Sequence, residues 1–309
     1  MNLQKTLEQF ETSYLSATAG SQLSVGEAKR LLSTFSRLVS EEIETPSQFR
    51  PYHERVRSPF DYYRFGLDFF RPLLKFPESG VYGQEHLQTL LGQLDRRDNV
   101  ILLANHQTEP DPQIISILLE KEHPKFAEEM IFVAGHKVTS DPVAIPFSKG
   151  RNLLCIYSKR YIEHPPEQKE EKTLHNRRAL DILRGLLQEG GKCVYVAPSG
   201  GRDRMGPQGE VEVAPFDAAS LELFRLMAQD TPTHFYPFAI DTYALLPPPE
   251  SVQKELGEKR KAALARVAIA FGSEIDMEAF SGDKREKREA RSAFIYGLVN
   301  DLYQRIKQC

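Results

Sequence analysis

A histidine and an aspartate stand five positions apart in the run Val100-Ile101-Leu102-Leu103-Ala104-Asn105-His106-Gln107-Thr108-Glu109-Pro110-Asp111-Pro112. A neutral imidazole becomes a useful base near pH 7 when a carboxylate fixes its tautomer and stabilises the imidazolium that forms. The pair therefore suits removal of a proton from a hydroxyl. The apolar run Val100 to Ala104 reads as a strand, which puts His106 just past its end. Asp111 followed by Pro112 reads as a helix N-cap with proline at N1, and Ile114, Ile115, Ile117, Leu118 and Leu119 supply the buried face behind it. A short loop then folds one side chain onto the other. The competing reading of Asp111 is a plain cap with no part in chemistry.

The same spacing recurs at His136 and Asp141, after a second strand-like run. Pro146 and Gly150 interrupt the segment after Asp141, so no amphipathic helix anchors that carboxylate. His136 is accordingly expected to be a surface or loop histidine.

A second constellation stands after the apolar run Val194 to Ala197: Pro198-Ser199-Gly200-Gly201-Arg202-Asp203-Arg204. Paired glycines let backbone approach a ligand closely, and Arg202 and Arg204 can both address one anion such as a phosphate. The alternative is a glycine turn carrying exposed arginines. Ser199 invites a rival reading as a nucleophile with His106 as its base, but Pro-Ser-Gly-Gly lacks the Gly-x-Ser-x-Gly elbow that exposes such a serine. A third basic cluster, Ser158-Lys159-Arg160-Tyr161, comes after the strand-like run Leu153 to Tyr157. Basic groups gathered around one base point to an anionic substrate that carries a hydroxyl.

These residues need a frame that brings strand ends together. Strand-like runs at 100–104, 130–134, 153–157, 193–197, 234–240 and 266–271 alternate with helical patterns at 112–121, 167–188, 217–229 and 283–307. The alternation predicts an α/β fold: a mixed, largely parallel sheet flanked by helices. Ligands of such sheets collect at the carboxyl ends of strands, where His106, Arg202 and the 158–161 cluster all fall. Residues 1–45 read as a small helical domain, with Leu3, Leu7, Phe10 and Tyr14 on one stripe and a capping box at Ser24-Val25-Gly26-Glu27 opening a second helix. Residues 46–309 are then the α/β catalytic domain. The charged runs Lys254 to Lys261 and Lys284 to Arg291 read as solvated helix surface.

Bulk properties narrow the partners. The chain has 309 residues, 40% hydrophobic and 27% charged, with a net charge of −3, so nothing global points to nucleic acid. Cys155, Cys193 and Cys309 form no C-x-x-C arrangement, and two of them lie in apolar runs, which fits free thiols in a reducing compartment. No apolar run nears the roughly 18 residues that would span a bilayer, and acid appears early, at Glu8, unlike a signal or transit peptide. A cytoplasmic protein is expected, with any membrane contact transient and at the surface.

The chain resembles the soluble glycerol-3-phosphate 1-acyltransferases of plant chloroplasts and chlamydia-like bacteria. The matching blocks are Arg57 to Tyr63, Asn105 to Glu109 with Asp111-Pro112, Pro146-Phe147-Ser148, Gly150 to Leu153, Ala197 to Arg204, Ala214 to Asp217, Pro247-Pro248-Pro249 and Gly257 to Arg260. They run in order over about residues 57 to 272. The resemblance implies transfer of a fatty acyl group from acyl carrier protein or coenzyme A to the sn-1 hydroxyl of glycerol 3-phosphate, the first step of phospholipid synthesis. It implies no metal and no cofactor beyond the acyl donor as co-substrate. It puts the family's His-x4-Asp pair on His106 and Asp111, and its phosphate-binding arginines on Arg202 and Arg204.

Where plant enzymes tend to read Ser-Lys-Lys-His, this chain reads Ser158-Lys159-Arg160-Tyr161. Arg160 keeps the charge and Tyr161 offers a neutral phenol, so phosphate binding by Lys159, Arg160 and Tyr161 is expected with altered geometry. The N-terminal region is also shorter than in the plant enzymes. The acyl chain requires an apolar groove, for which the aromatic run Tyr62 to Phe70 competes with its simpler reading as core, and an acidic carrier protein requires a basic surface. An oxyanion stabiliser is expected near Asn105 to Thr108. Two rivals remain: an enzyme acylating the sn-2 position of 1-acyl-glycerol 3-phosphate, and a non-catalytic protein that binds phosphate esters or acyl carrier protein.

Overall fold

The computed structural model describes residues 3–249 and 260–308. Its strands are β1 Tyr52–His53, β2 Gly80–Tyr82, β3 Asn99–Ala104, β4 Ile131–Gly135, β5 Asn152–Ile156, β6 Cys193–Val196, β7 Arg204–Met205, β8 Val211–Glu212, β9 Thr233–Asp241 and β10 Ala268–Phe271. Eight of them form one sheet in the order β1-β5-β4-β6-β3-β9-β10-β2, while β7 and β8 pair as a separate hairpin. The five strands from β5 to β9 run parallel. β10 is antiparallel to β9, β2 is parallel to β10, and β1 is antiparallel to β5. The sheet is thus mixed and largely parallel, as the alternation of apolar runs and helical patterns predicts.

β3 lies near the middle because every one of its residues is apolar enough, or paired enough, to be covered on both faces. Val100, Leu102 and Ala104 enter one core with Leu87, Leu90, Ile115 and Leu119. Ile101 and Leu103 enter the opposite core with Ala179, Leu183, Leu187 and Phe224. The helices Gln84–Asp95 and Asp111–Leu119 cover the first face, and Lys169–Glu189 and Ala218–Ala228 the second. Each buried aliphatic side chain contributes about 1.5–3 kcal/mol, so register errors in β3 are heavily penalised.

The helices Leu3–Thr18 and Val25–Glu44 pack on this body through a third core. The second opens with the capping box expected at Ser24 and Glu27. Phe10, Tyr14, Phe35, Phe65, Phe69 and Phe70 share one cluster, and the Tyr14 hydroxyl donates to the Phe69 carbonyl at 2.8 Å. The aromatic run Tyr62 to Phe70 is a helix, and Tyr63, Phe65, Leu67, Phe69 and Phe70 are buried in this core. Within this run the core reading holds for those residues.

Because β3, β4, β5, β6 and β9 are parallel, their carboxyl ends meet along one edge of the sheet. His106, His136, Tyr157, Pro198 and Thr242 all leave the sheet there. Two readings fall beyond the described residues: most of the charged run at 254–261, and Cys309. Cys155 and Cys193 are buried free thiols.

Candidate active site

Asn105 carries the strand pairing one residue further by side chain. Its Oδ1 accepts the Ile240 amide N–H at 2.8 Å, and its Nδ2 donates to the Ile240 carbonyl at 2.9 Å. Gln107 repeats the device, its Oε1 accepting the amides of Thr242 at 2.7 Å and Tyr243 at 2.9 Å. The backbone can therefore leave the sheet at residue 105 without orphaning the β9 donors, which would each cost about 1–3 kcal/mol. His106, between these two anchors, is the residue whose side chain is left for the surface, 30% exposed.

Asp111 meets it from below. The Asp111 Oδ2 lies 2.8 Å from His106 Nδ1 and also accepts the Gln107 amide at 2.8 Å. Its Oδ1 accepts the Thr108 amide at 3.1 Å, the Thr108 hydroxyl at 2.5 Å and the Thr242 hydroxyl at 2.6 Å. A carboxylate in this position only accepts, so Nδ1 carries the proton and Nε2 presents its lone pair outward. Asp111 is fully buried. Burial alone would raise its pKa, but the bonds from His106, Thr108 and Thr242 outweigh that and hold it below the usual range.

The capping role expected of Asp111 is corrected. Pro110 occupies the N-cap position and makes no side-chain cap, while Asp111 is the first helical residue. Its carboxylate reaches back to amides 107 and 108, upstream of the helix, rather than forward to N2 or N3. Both oxygens are saturated by the loop and by Thr242, which leaves no acceptor for the helix.

The arginine loop comes directly after β6. Gly200 sits at φ +63°, where a side chain would be strained, and nothing approaches within 4 Å of a Cβ added there. Ser199 donates its hydroxyl to the Gly201 carbonyl at 2.9 Å, within its own turn. The Asp203 amide donates to the His106 carbonyl at 2.7 Å, which docks this loop on the one bearing the base. Arg204 Nη1 donates to the Asp203 carbonyl at 3.1 Å and begins the β7–β8 hairpin. Arg202, 15% exposed, stands 4.0 Å from Glu109. Arg202 and Arg204 therefore flank a residue bonded directly to His106.

Sequence reasoning leaves three groups in this site without a role. Asp203, fully buried between the arginines, accepts from Asn105 Nδ2 at 2.8 Å, Gln107 Nε2 at 3.2 Å and the Ala214 amide at 2.9 Å. Burial pushes its pKa up to about 6 against those bonds. Thr242 comes from the end of β9 to grip Asp111. Arg260 forks onto Glu109 at 2.6 and 2.9 Å and reaches Asp141 at 2.9 Å. No spacing rule links residues so far apart in the chain; the one available signal is that Glu109, Asp203 and Arg260 lie inside the blocks that carry the family resemblance.

The third basic cluster is partly visible. Lys159–Ile162 forms a helical turn at the carboxyl end of β5, but the side chains of Lys159 and Arg160 lie outside the described parts of the structure. The Tyr161 ring stands edge-on to His136 at 4.3 Å, and its carbonyl accepts from Lys172 at 2.9 Å. His136 is thus half-buried among Phe49, Tyr157 and Tyr161 rather than a plain surface residue. Burial and the nearby Lys137 and Lys172 lower its pKa. Its sequence partner Asp141 is engaged with Arg260 and the Val143 amide, at 2.9 and 3.0 Å.

A sequence model of the acyltransferase family matches residues 79–241, which contain both loops. Among curated proteins, the chain is 43% identical over 264 residues to glycerol-3-phosphate acyltransferase ATS11, chloroplastic, of Cucurbita moschata, covering 84% of this chain and 59% of that one. It is 39% identical over 268 residues to the chloroplastic glycerol-3-phosphate acyltransferase of Arabidopsis thaliana, covering 85% and 58%. The counterpart from Spinacia oleracea is 41% identical over 272 residues, covering 86% and 58%. The chain thus spans somewhat under three fifths of the length of these relatives. Among the described residues, no helix is long and apolar enough to cross a membrane.

Proposed function

The chain belongs to the acyltransferase family, and from that premise we propose that it is a glycerol-3-phosphate 1-O-acyltransferase working in the cytoplasm. It moves a fatty acyl group from an acyl carrier protein or coenzyme A thioester to the sn-1 hydroxyl of glycerol 3-phosphate. The observation that carries the reading is the junction of base and arginines: the backbone of residue 203, between Arg202 and Arg204, is hydrogen-bonded to His106. A short substrate with a phosphate at one end and a hydroxyl at the other bridges such a site. The names of the chloroplastic relatives supply the substrate.

In this reading Arg202 and Arg204 hold the phosphate, assisted by Lys159, Arg160 and Tyr161 from the end of β5, which β4 separates from β6. His106 Nε2 takes the proton of the sn-1 hydroxyl as its oxygen attacks the thioester carbonyl. The tetrahedral intermediate collapses with cleavage of the carbon–sulfur bond, and the imidazolium returns its proton to the departing thiolate. Asp111 keeps Nδ1 protonated and stabilises the imidazolium. General-base assistance of this kind contributes roughly 10²–10⁴ in rate, and fixing the acceptor by its phosphate supplies the positioning. No acyl-enzyme is needed, because the thioester is already activated.

Incubation of the protein with radiolabelled glycerol 3-phosphate and acyl carrier protein or coenzyme A thioesters tests the reading. Labelled 1-acyl-glycerol 3-phosphate is expected. Acylation of only a pre-acylated acceptor would reassign the chain to the sn-2 reaction, and binding without turnover would make it a carrier or phosphate-ester binding protein.

A further inference from the structure

We infer that Asp203 is a positioning residue, an acceptor-only clasp that sets the distance between the phosphate-holding arginines and the His106 base. The inference rests on the function proposed above and adds a residue to it that touches neither phosphate nor hydroxyl.

Residue 203 grips three consecutive residues of the opposing loop. Its carboxylate accepts from the side chains of Asn105 and Gln107, and its amide donates to the carbonyl of His106 between them. The same carboxylate accepts the Ala214 amide at 2.9 Å, which closes the base of the segment carrying the β7–β8 hairpin. Arg202 and Arg204 are its immediate neighbours in the chain. Any slip of the clasp therefore moves both guanidinium groups relative to Nε2 of His106.

The chemistry of the position is fixed by groups remote from it. A backbone N–H can only donate, so the Ile240 amide identifies the Asn105 atom facing it as oxygen, and the Thr242 and Tyr243 amides do the same for Gln107. Both amide NH₂ groups must then face residue 203. With the Ala214 backbone amide, the three described partners of the Asp203 carboxylate are all donors. An asparagine cannot satisfy them. With its oxygen toward Asn105 and Gln107 it sets NH₂ against the Ala214 N–H, and when flipped it sets NH₂ against two side-chain amides.

The test is steady-state kinetics of the full chain with glycerol 3-phosphate and the acyl thioester, comparing wild type, Asp203→Asn and Gln107→Ala, with unfolding midpoints measured alongside. For Asp203→Asn the KM for glycerol 3-phosphate should rise by about tenfold or more while the KM for the acyl donor stays within about twofold. Gln107→Ala leaves the carboxylate two of its three donors and should raise the same KM by about threefold. It is read whether or not Asp203→Asn folds. A glycerol 3-phosphate KM unchanged in Gln107→Ala overturns the clasp, as does a parallel rise of both KM values together with a fall of the unfolding midpoint in Asp203→Asn. A wild-type protein that fails to acylate glycerol 3-phosphate overturns the proposed function instead.

Discussion

The hydroxyl of Thr242, at the end of β9, donates to Asp111 at 2.6 Å, so the carboxylate that orients His106 is itself held by a strand more than 130 residues away in sequence. With the amides of Gln107 and Thr108, the Thr108 hydroxyl and His106 Nδ1, five donors converge on its two oxygens. Asp111 is placed by its surroundings rather than by the helix it begins.

That saturation makes Asp111→Asn a harsh substitution despite its shape. One face of the new amide would meet donors, and the imidazole would lose the acceptor that fixes its tautomer. We predict a fall in kcat of roughly 100-fold or more with a smaller change in the KM for glycerol 3-phosphate. Steady-state rates on folded variant protein check it; activity near wild type would mean the carboxylate is only structural.

Arg202→Ala and Arg204→Ala are each expected to raise the KM for glycerol 3-phosphate by roughly 10- to 100-fold, the loss of about 1.5–3 kcal/mol from charge-assisted bonds to phosphate. The KM for the acyl donor should hardly move. Initial rates over a matrix of both substrates separate the two, and equal effects on both would place the arginines elsewhere in the reaction.

Much of this architecture is legible in the sequence. The strands that are covered on both faces, β3, β6 and β9, appear as near-continuous apolar runs, and the parallel arrangement then puts their ends on one edge. β1, β2 and the β7–β8 pair are not, because two or three residues display no period. His106, Asp111, Arg202 and Arg204 stand out by chemical type and by their place after strands. Asp111 nevertheless reads as a cap, since Asp-Pro before an apolar helix looks alike whether the carboxylate turns forward to the helix or back to the loop. Asp203 is hidden between two arginines that explain the segment without it. The decoy pair His136 and Asp141 is already set apart in the sequence by the break after Asp141, and in space Arg260 claims the aspartate.

The buried Asp203 also predicts a pH signature. Its folded pKa of about 6 lies above its ordinary value of 3.8, so its contribution to stability is fully present below pH 4 and is lost as pH rises through about 6. The stability of the wild type relative to Asp203→Asn should therefore decline between pH 4 and pH 7, by on the order of 3 kcal/mol. Urea unfolding of both proteins across that range measures the difference. A difference that grows with pH would show that the carboxylate is stabilised in its charged form.

The most direct test of the account is His106→Ala. With folding verified by its unfolding midpoint and glycerol 3-phosphate binding by calorimetry, the variant should bind the acceptor with near wild-type affinity while acyl transfer falls by roughly 10²–10⁴. Retention of near wild-type transfer by the folded variant would contradict the assignment of His106 as the base, and with it the mechanism built on the pair.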